Sequence, residues 1–202
     1  MKTRNFIRPA AILAAVLTIV AQPAVAEGDS EQGRKLGFTC LGCHGIDGYR
    51  NAYPSFRVPK LAGQKSDYIR TSLTAYRAGS RPHPPMQAQA GSLTDEDIET
   101  LGAWCASYGE AVPVATAEQV AGVEAAPICV TGHGVAGAAV QPAPPILAGQ
   151  HEDYLVYALN RYKDGARSGN VMNAFAAALS DADIKLLASY YASQDGLHTL
   201  DK

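Results

Sequence analysis

The chain of 202 residues carries 17 basic against 19 acidic residues, and three of the basic ones fall in a segment expected to be removed. The remaining 14 basic and 19 acidic residues give a charge near −5, a mildly acidic balance that argues against a nucleic-acid partner. This length holds one ordinary domain or two small ones.

The chain opens MKTRNFIRPAAILAAVLTIVAQPAVAEG, with Lys2, Arg4 and Arg8 ahead of an apolar run from about Ala10 to Val20, then the small-x-small sequence Ala24-Val25-Ala26. A hydrocarbon core needs about 20 apolar residues and this run has about half of that, so residues 1–26 read as a secretory signal peptide. No later apolar run is long enough to span a bilayer, and the mature chain is expected to be soluble outside the cytoplasm.

Four cysteines follow: Cys40, Cys43, Cys105 and Cys129. In an exported chain disulfides are the default expectation. The first pair departs from it, because His44 follows at once and Cys-x-x-Cys-His is the haem attachment signature. CLGCHG offers two thiols for thioether bonds to the haem vinyls and His44 as the proximal iron ligand. A disulfide or a thioredoxin-type pair shares the spacing, but neither calls for the adjacent histidine, and no βαβ pattern accompanies it.

Beyond this cluster the chain repeats itself. The segment from Pro59, PKLAGQKSDYIRTSLTAYRAGSRPHPPM, aligns without a gap to PILAGQHEDYLVYALNRYKDGARSGNVM from Pro145, 86 residues on. Twelve of 28 positions are identical, where average residue usage gives about two. Each copy predicts a middle helix, Ser66 to Arg77 or Glu152 to Lys163, then a loop carrying Met86 or Met172. Each then runs into a helix opening LTDEDIETLGAW or LSDADIKLLASY. These last helices begin with a Ser/Thr cap and acidic first-turn residues, with apolar residues at Ile98, Leu101 and Trp104, or Ile184, Leu187 and Tyr190.

Upstream, Cys40 aligns with Cys129 and His44 with His133 at an offset of 89, so the first copy has three extra residues in its glycine- and proline-containing loop. The expected organisation is a first domain over 27–109, a linker over 110–119 and a second domain over 120–202. No β-alternation of useful length occurs. The fold expected is all-α, and units of this size leave room for a cofactor to complete the apolar interior.

A single methionine is ordinarily core filler. Recurring at the same place in both copies, Met86 and Met172 become candidates for the distal iron ligand. His/Met ligation fills all six iron positions and raises the reduction potential, which leaves electron transfer as the function implied. A ligating imidazole donates its other ring proton, commonly to a carbonyl. Pro59 and Pro145 are candidates to present that carbonyl, or they merely stiffen the loop. Tyr68, Tyr76 and Arg81, with Tyr154, Tyr162 and Arg167, are within the range of candidates for haem propionates, though helix packing explains each one equally well. His83, His151 and His198 have no histidine counterpart in the other copy and read as surface residues.

On CLGCHG, PKLAGQ, YRAGSR, Met86 and LTDEDIETLGAW, and on PILAGQ, YKDGAR, Met172 and LSDADIKLLASYYASQ, the mature chain resembles the cytochrome c4 family. The resemblance covers essentially everything after the signal peptide. It implies two tandem class I cytochrome c domains related by a pseudo-twofold axis, located in the periplasm. It further implies single-electron transfer between respiratory or dehydrogenase donors and a terminal acceptor, with a quinol-oxidising complex, an oxidase or a dehydrogenase as partners and peripheral membrane association as a further option. Similar tandem cytochromes serve as electron-accepting subunits of sulfide or thiosulfate dehydrogenases. The chain is read as a carrier and not itself an enzyme.

The second copy departs from the pattern. Gly132 stands where Cys43 does, so only Cys129 is left for covalent attachment. Pro127 lies two residues before Cys129, and VAGVEAAP lacks the aromatic of KLGF, so the helix there is expected to pack less firmly. His133 and Met172 are both retained. Two readings stand: a second haem c held through one thioether, which the retained ligands favour, or no second haem. In the latter case Cys105 and Cys129 could pair as a disulfide; otherwise Cys105 is a small buried residue beside Trp104. A loosely ligated second haem open to small ligands is a further option that Met172 speaks against.

Overall fold

The computed structural model describes residues 27–108, 127–138, 143–168 and 171–200. The expected signal peptide, the linker over 110–119 and the segment VAGVEA lie outside them. Nine α-helices form among the described residues, with only two isolated β-bridges, Arg50 to Arg57 and Ala62 to His198.

In the first unit α1 (Glu27–Leu36) passes through a 3-10 turn into the short α2 (Leu41–His44), followed by the long loop, α3 (Ser66–Arg77), α4 (Pro84–Ala90) and α5 (Asp95–Ser107). In the second, α6 (Pro127–His133) is followed by α7 (Glu152–Lys163), α8 (Met172–Ala177) and α9 (Asp181–Ala192). The middle helices α3 and α7 have the ends expected from sequence. Pro127 opens α6, a position where its missing N–H costs no hydrogen bond.

Both last helices start with reciprocal capping boxes. Thr94 accepts from the Asp97 N–H while Asp97 accepts from the Thr94 N–H, and Ser180 and Asp183 repeat the arrangement. Ile98, Leu101 and Trp104 are buried in α5, and Ile184 and Leu187 in α9. Tyr190, expected inside, is only partly buried and donates its hydroxyl to the Val135 carbonyl; its neighbour Tyr191 takes the interior place.

Helix α1 and the 3-10 turn that follows it lie close against α5 because Gly33 and Gly37 face Trp104. A Cβ on either would lie 2.4 Å from the Trp104 Cβ or 2.1 Å from its ring. The glycine of each LAGQ serves another purpose: Gly63 and Gly149 have φ of 80° and 71° and donate to the Cys105 and Tyr191 carbonyls, both at 3.0 Å. Only glycine adopts that conformation without strain.

The two units meet through the glutamines that close the LAGQ motifs. Gln64 donates to the Ile146 carbonyl at 3.0 Å and accepts from the Ile146 N–H at 2.9 Å. Gln150 does the same with Lys60, at 3.0 Å in both directions. Gln64 and Lys60 are the repeat counterparts of Gln150 and Ile146, so the seam has the pseudo-twofold symmetry expected of two tandem units. The longer loop of the first unit adds a one-sided clasp. Arg50 and Arg57 both reach Asp153, and Phe56 stacks on Tyr157 with ring centroids 4.2 Å apart.

Candidate haem sites

Helix α2 places Cys40 at its N-cap, Cys43 on its exposed side and His44 at its last position. His44 is 8% exposed, and its Nδ1 lies 2.7 Å from the Pro59 carbonyl oxygen. A carbonyl can only accept, so Nδ1 carries the proton and Nε2 is left with its lone pair available. Burial, partly offset by the Pro59 bond, holds the imidazole below its ordinary pKa and therefore neutral, the form that binds metal.

Cys40, Cys43, His44 and Met86 line one cavity of about 330 Å³, within the range of about 300–1,000 Å³ usual for cofactor pockets. The second unit closes its wall with Pro145, Ile146, Tyr154 and Arg167. Met86 lies in the first turn of the short helix α4, not in a loop as its proline-rich flanks suggested; Pro84 and Pro85 occupy the helix start.

The second unit repeats the proximal geometry. His133, 7% exposed at the end of α6, has its Nδ1 2.9 Å from the Pro145 carbonyl oxygen, and burial again keeps it neutral. Cys129 packs half-buried against the cluster of Leu155, Leu187 and Tyr191. Met172, also half-buried, opens α8. A Cβ on Gly132 would make ordinary van der Waals contact with the Pro144 ring, at 3.7 Å.

Between the units lie two buried guanidinium groups, Arg81 at 8% and Arg167 at 6% exposure. Arg81 donates to Ser72 at 2.6 Å, to Tyr154 at 3.0 Å and to Tyr68 at 3.3 Å, and Arg167 to Tyr154 at 3.4 Å. Burial raises the Tyr154 phenol, but Arg167 and Arg81 outweigh it and bring the group down to about 8. Tyr68 is pushed by burial up to about 12. Among the described residues no carboxylate pairs with either arginine, and the buried Arg81 Nε has no partner. Buried charge is ordinarily compensated. A cavity that joins two thiols, an available imidazole nitrogen, a thioether and an uncompensated cation fits haem with its anionic propionates.

Two histidines read as surface residues are not. His83 is half-buried against the rings of Phe56 and Tyr76, and His151 is 8% exposed at the seam, while His198 is exposed. Cys105 lies in the first core with Leu41, Leu101 and Trp104, and burial pushes its thiol up to about 12. Cys129 belongs to the second unit's cluster, so the Cys105–Cys129 disulfide is not formed and all four cysteines are unpaired.

The family model for cytochrome c matches residues 30–108. Over its length the chain is 31% identical to cytochrome c4 of Azotobacter vinelandii, covering 93% of this chain and 99% of that one. It is 32% identical to the thiosulfate dehydrogenase electron acceptor of Stutzerimonas stutzeri (strain A1501), covering 91% and 93%. Among solved structures, reduced recombinant cytochrome c4 from Pseudomonas stutzeri superposes with a TM-score of 0.66 at 31% identity, covering 84% of this chain and 98% of that one. With the tandem fold, the cavity and these likenesses in agreement, the chain belongs to the cytochrome c4 family and is an electron-carrying cytochrome that uses haem c.

Proposed function

We propose that the chain is a periplasmic carrier with one haem c in each unit. In the first, Cys40 and Cys43 form the thioethers and His44 and Met86 ligate the iron. In the second, Cys129 forms a single thioether and His133 and Met172 ligate. The domains are those expected from sequence, 27–109 and 120–202, after a signal peptide over 1–26. Bound haem supplies the one-electron couple; the protein excludes water from it, fixes each imidazole through a proline carbonyl, and offsets propionate charge with Arg81 and Arg167. With all six iron positions filled there is no place for a substrate, and the role is transfer alone.

The observation that carries the second site is the His133 to Pro145 contact at 2.9 Å, which keeps the ligand-ready tautomer although the second thioether cysteine is missing. The test is the intact mass of the protein exported by a host able to mature c-type cytochromes, together with its pyridine haemochrome spectrum. Two added haems, with an α-band between the positions for one and two thioethers, is the expected result. One added haem and no noncovalent haem would remove the second site.

A second reading, that the chain is the electron-accepting subunit of a thiosulfate- or sulfide-type dehydrogenase, is favoured by the likeness to the thiosulfate dehydrogenase electron acceptor. It predicts a stable complex with the donor enzyme on co-purification. Terminal oxidases and quinol-oxidising complexes are the partners of the first reading.

A further inference from the structure

Beyond α9, residues 196–200 leave the second unit and run along the seam into the first. The Leu197 N–H donates to the Ala148 carbonyl at 2.8 Å, and His198 exchanges both backbone bonds with Ala62, at 3.1 and 3.2 Å. The Leu200 N–H then donates to the carbonyl of His44 at 3.0 Å. Ala148 and Ala62 are repeat counterparts, so the segment visits the same alanine in each unit in turn.

Its side chains anchor it at both ends. Leu197, 1% exposed, packs with Ile146 and Ala148, and Leu200, fully buried, packs with Leu41 and Ala62 in the first core. The fit leaves no slack: a Cβ on Gly196 would lie 2.3 Å from the Ala148 carbonyl oxygen, and one on Gly45 would lie 2.9 Å from that of Leu200.

Helix α2 is only four residues long, too short to hold its last residue rigidly by itself. The His44 ring is held from one side by Pro59, and the His44 peptide from the other by Leu200. Together they fix the direction of the Cα–Cβ bond and the plane of the imidazole. We propose that residues 197–200 are a positioning strap by which the second unit sets the orientation of the His44 imidazole, with Leu200 as the positioning residue and Leu197 as its anchor. This rests on His44 being the iron ligand of the first site. Outer partners of a ligating histidine set its orientation and basicity, and through them the potential of the iron. The first site therefore depends on the packing of the second unit whether or not that unit holds haem.

The test uses the full-length, haem-loaded protein. Leu200→Pro removes the N–H donor while keeping apolar bulk, and Leu197→Ala loosens the anchor in the other unit. Leu186→Ala, on the exposed side of α9, is the control. Electron paramagnetic resonance of the ferric protein gives the low-spin g-values, and a redox titration gives the midpoint potentials. The first-site signal is the one that persists in a Met172→Ala chain.

Leu200→Pro and Leu197→Ala should each shift the g-values and potential of the first haem in the same direction, Leu200→Pro more, and Leu200→Pro should leave the second-site signal at its wild-type position. Wild-type g-values and potentials in both variants, even with lowered thermal stability, would overturn the proposal and leave the segment as packing alone. Should Leu200→Pro fail to fold, Leu197→Ala decides on the same readout. A wild-type protein with no covalent haem on the Cys40–Cys43 peptide is a different result, which removes the ligand assignment and the proposal with it.

Discussion

Gly132 occupies the place of a thioether cysteine on a helical turn where an added Cβ would make only ordinary van der Waals contact with Pro144, so the packing does not oppose it. In the haem-loaded protein, Gly132→Cys should move the pyridine haemochrome α-band to the two-thioether position with intact mass changed only by the substitution itself, because thiol addition to a vinyl group loses no atoms. An unmoved band would mean that no vinyl group lies next to residue 132. At this scale the sequence pattern was legible in the first unit, where Cys40, Cys43, His44 and Met86 line one cavity. What stayed hidden were groups that act through a three-dimensional neighbour. Gln64 and Gln150 sit in the most conspicuous repeated motif, yet their bonds run to the other unit's main chain, which no spacing within one copy reveals.

Helices α3 and α7 were legible at both ends because a dozen residues of amphipathic periodicity outweigh local ambiguity, and the caps of α5 and α9 announce themselves in Thr94 and Ser180. Helix α4 was not, because seven residues led by Pro84 and Pro85 resemble a stiffened loop until a proline is recognised as a good first residue of a helix. The crossing of α1 and α5 depends on what is absent from Gly33. Gly33→Ala would drive a methyl group into Trp104, and overpacking of this kind costs about 1–3 kcal/mol. Urea unfolding should show that loss as a lowered midpoint at unchanged slope, against a small gain in helix propensity that works the other way.

Across the whole molecule the one-sided clasp makes stability depend on pH. Burial raises the Asp153 carboxyl, but the Arg57 N–H and guanidinium, with Arg50, outweigh it and hold the group below its ordinary value. A carboxylate depressed in the folded state contributes stability above its unfolded pKa, near about 3.9, and that contribution disappears as pH falls through the lower folded value. The groups are partly exposed, with side-chain exposures of 49%, 40% and 25% for Arg50, Arg57 and Asp153, so the contribution is about 1 kcal/mol or less. Asp153→Asn should therefore unfold more easily than wild type in urea at neutral pH, and the two curves should converge in strong acid. A difference that persists at low pH would assign the effect to packing.

The reciprocal glutamine pairs have an evolutionary consequence. Each motif presents to the other the same donor and acceptor that it receives, which is the self-complementary surface of an isologous homodimer. A single-unit ancestor bearing such a motif would have been able to pair with its own copy before any linker existed, and the present chain then reads as that dimer with its subunits fused. Fusion also makes asymmetry permissible. A loop clasp present on one side and a strap crossing in one direction break the exchange of equivalent subunits, and they can accumulate only once the two halves are encoded separately.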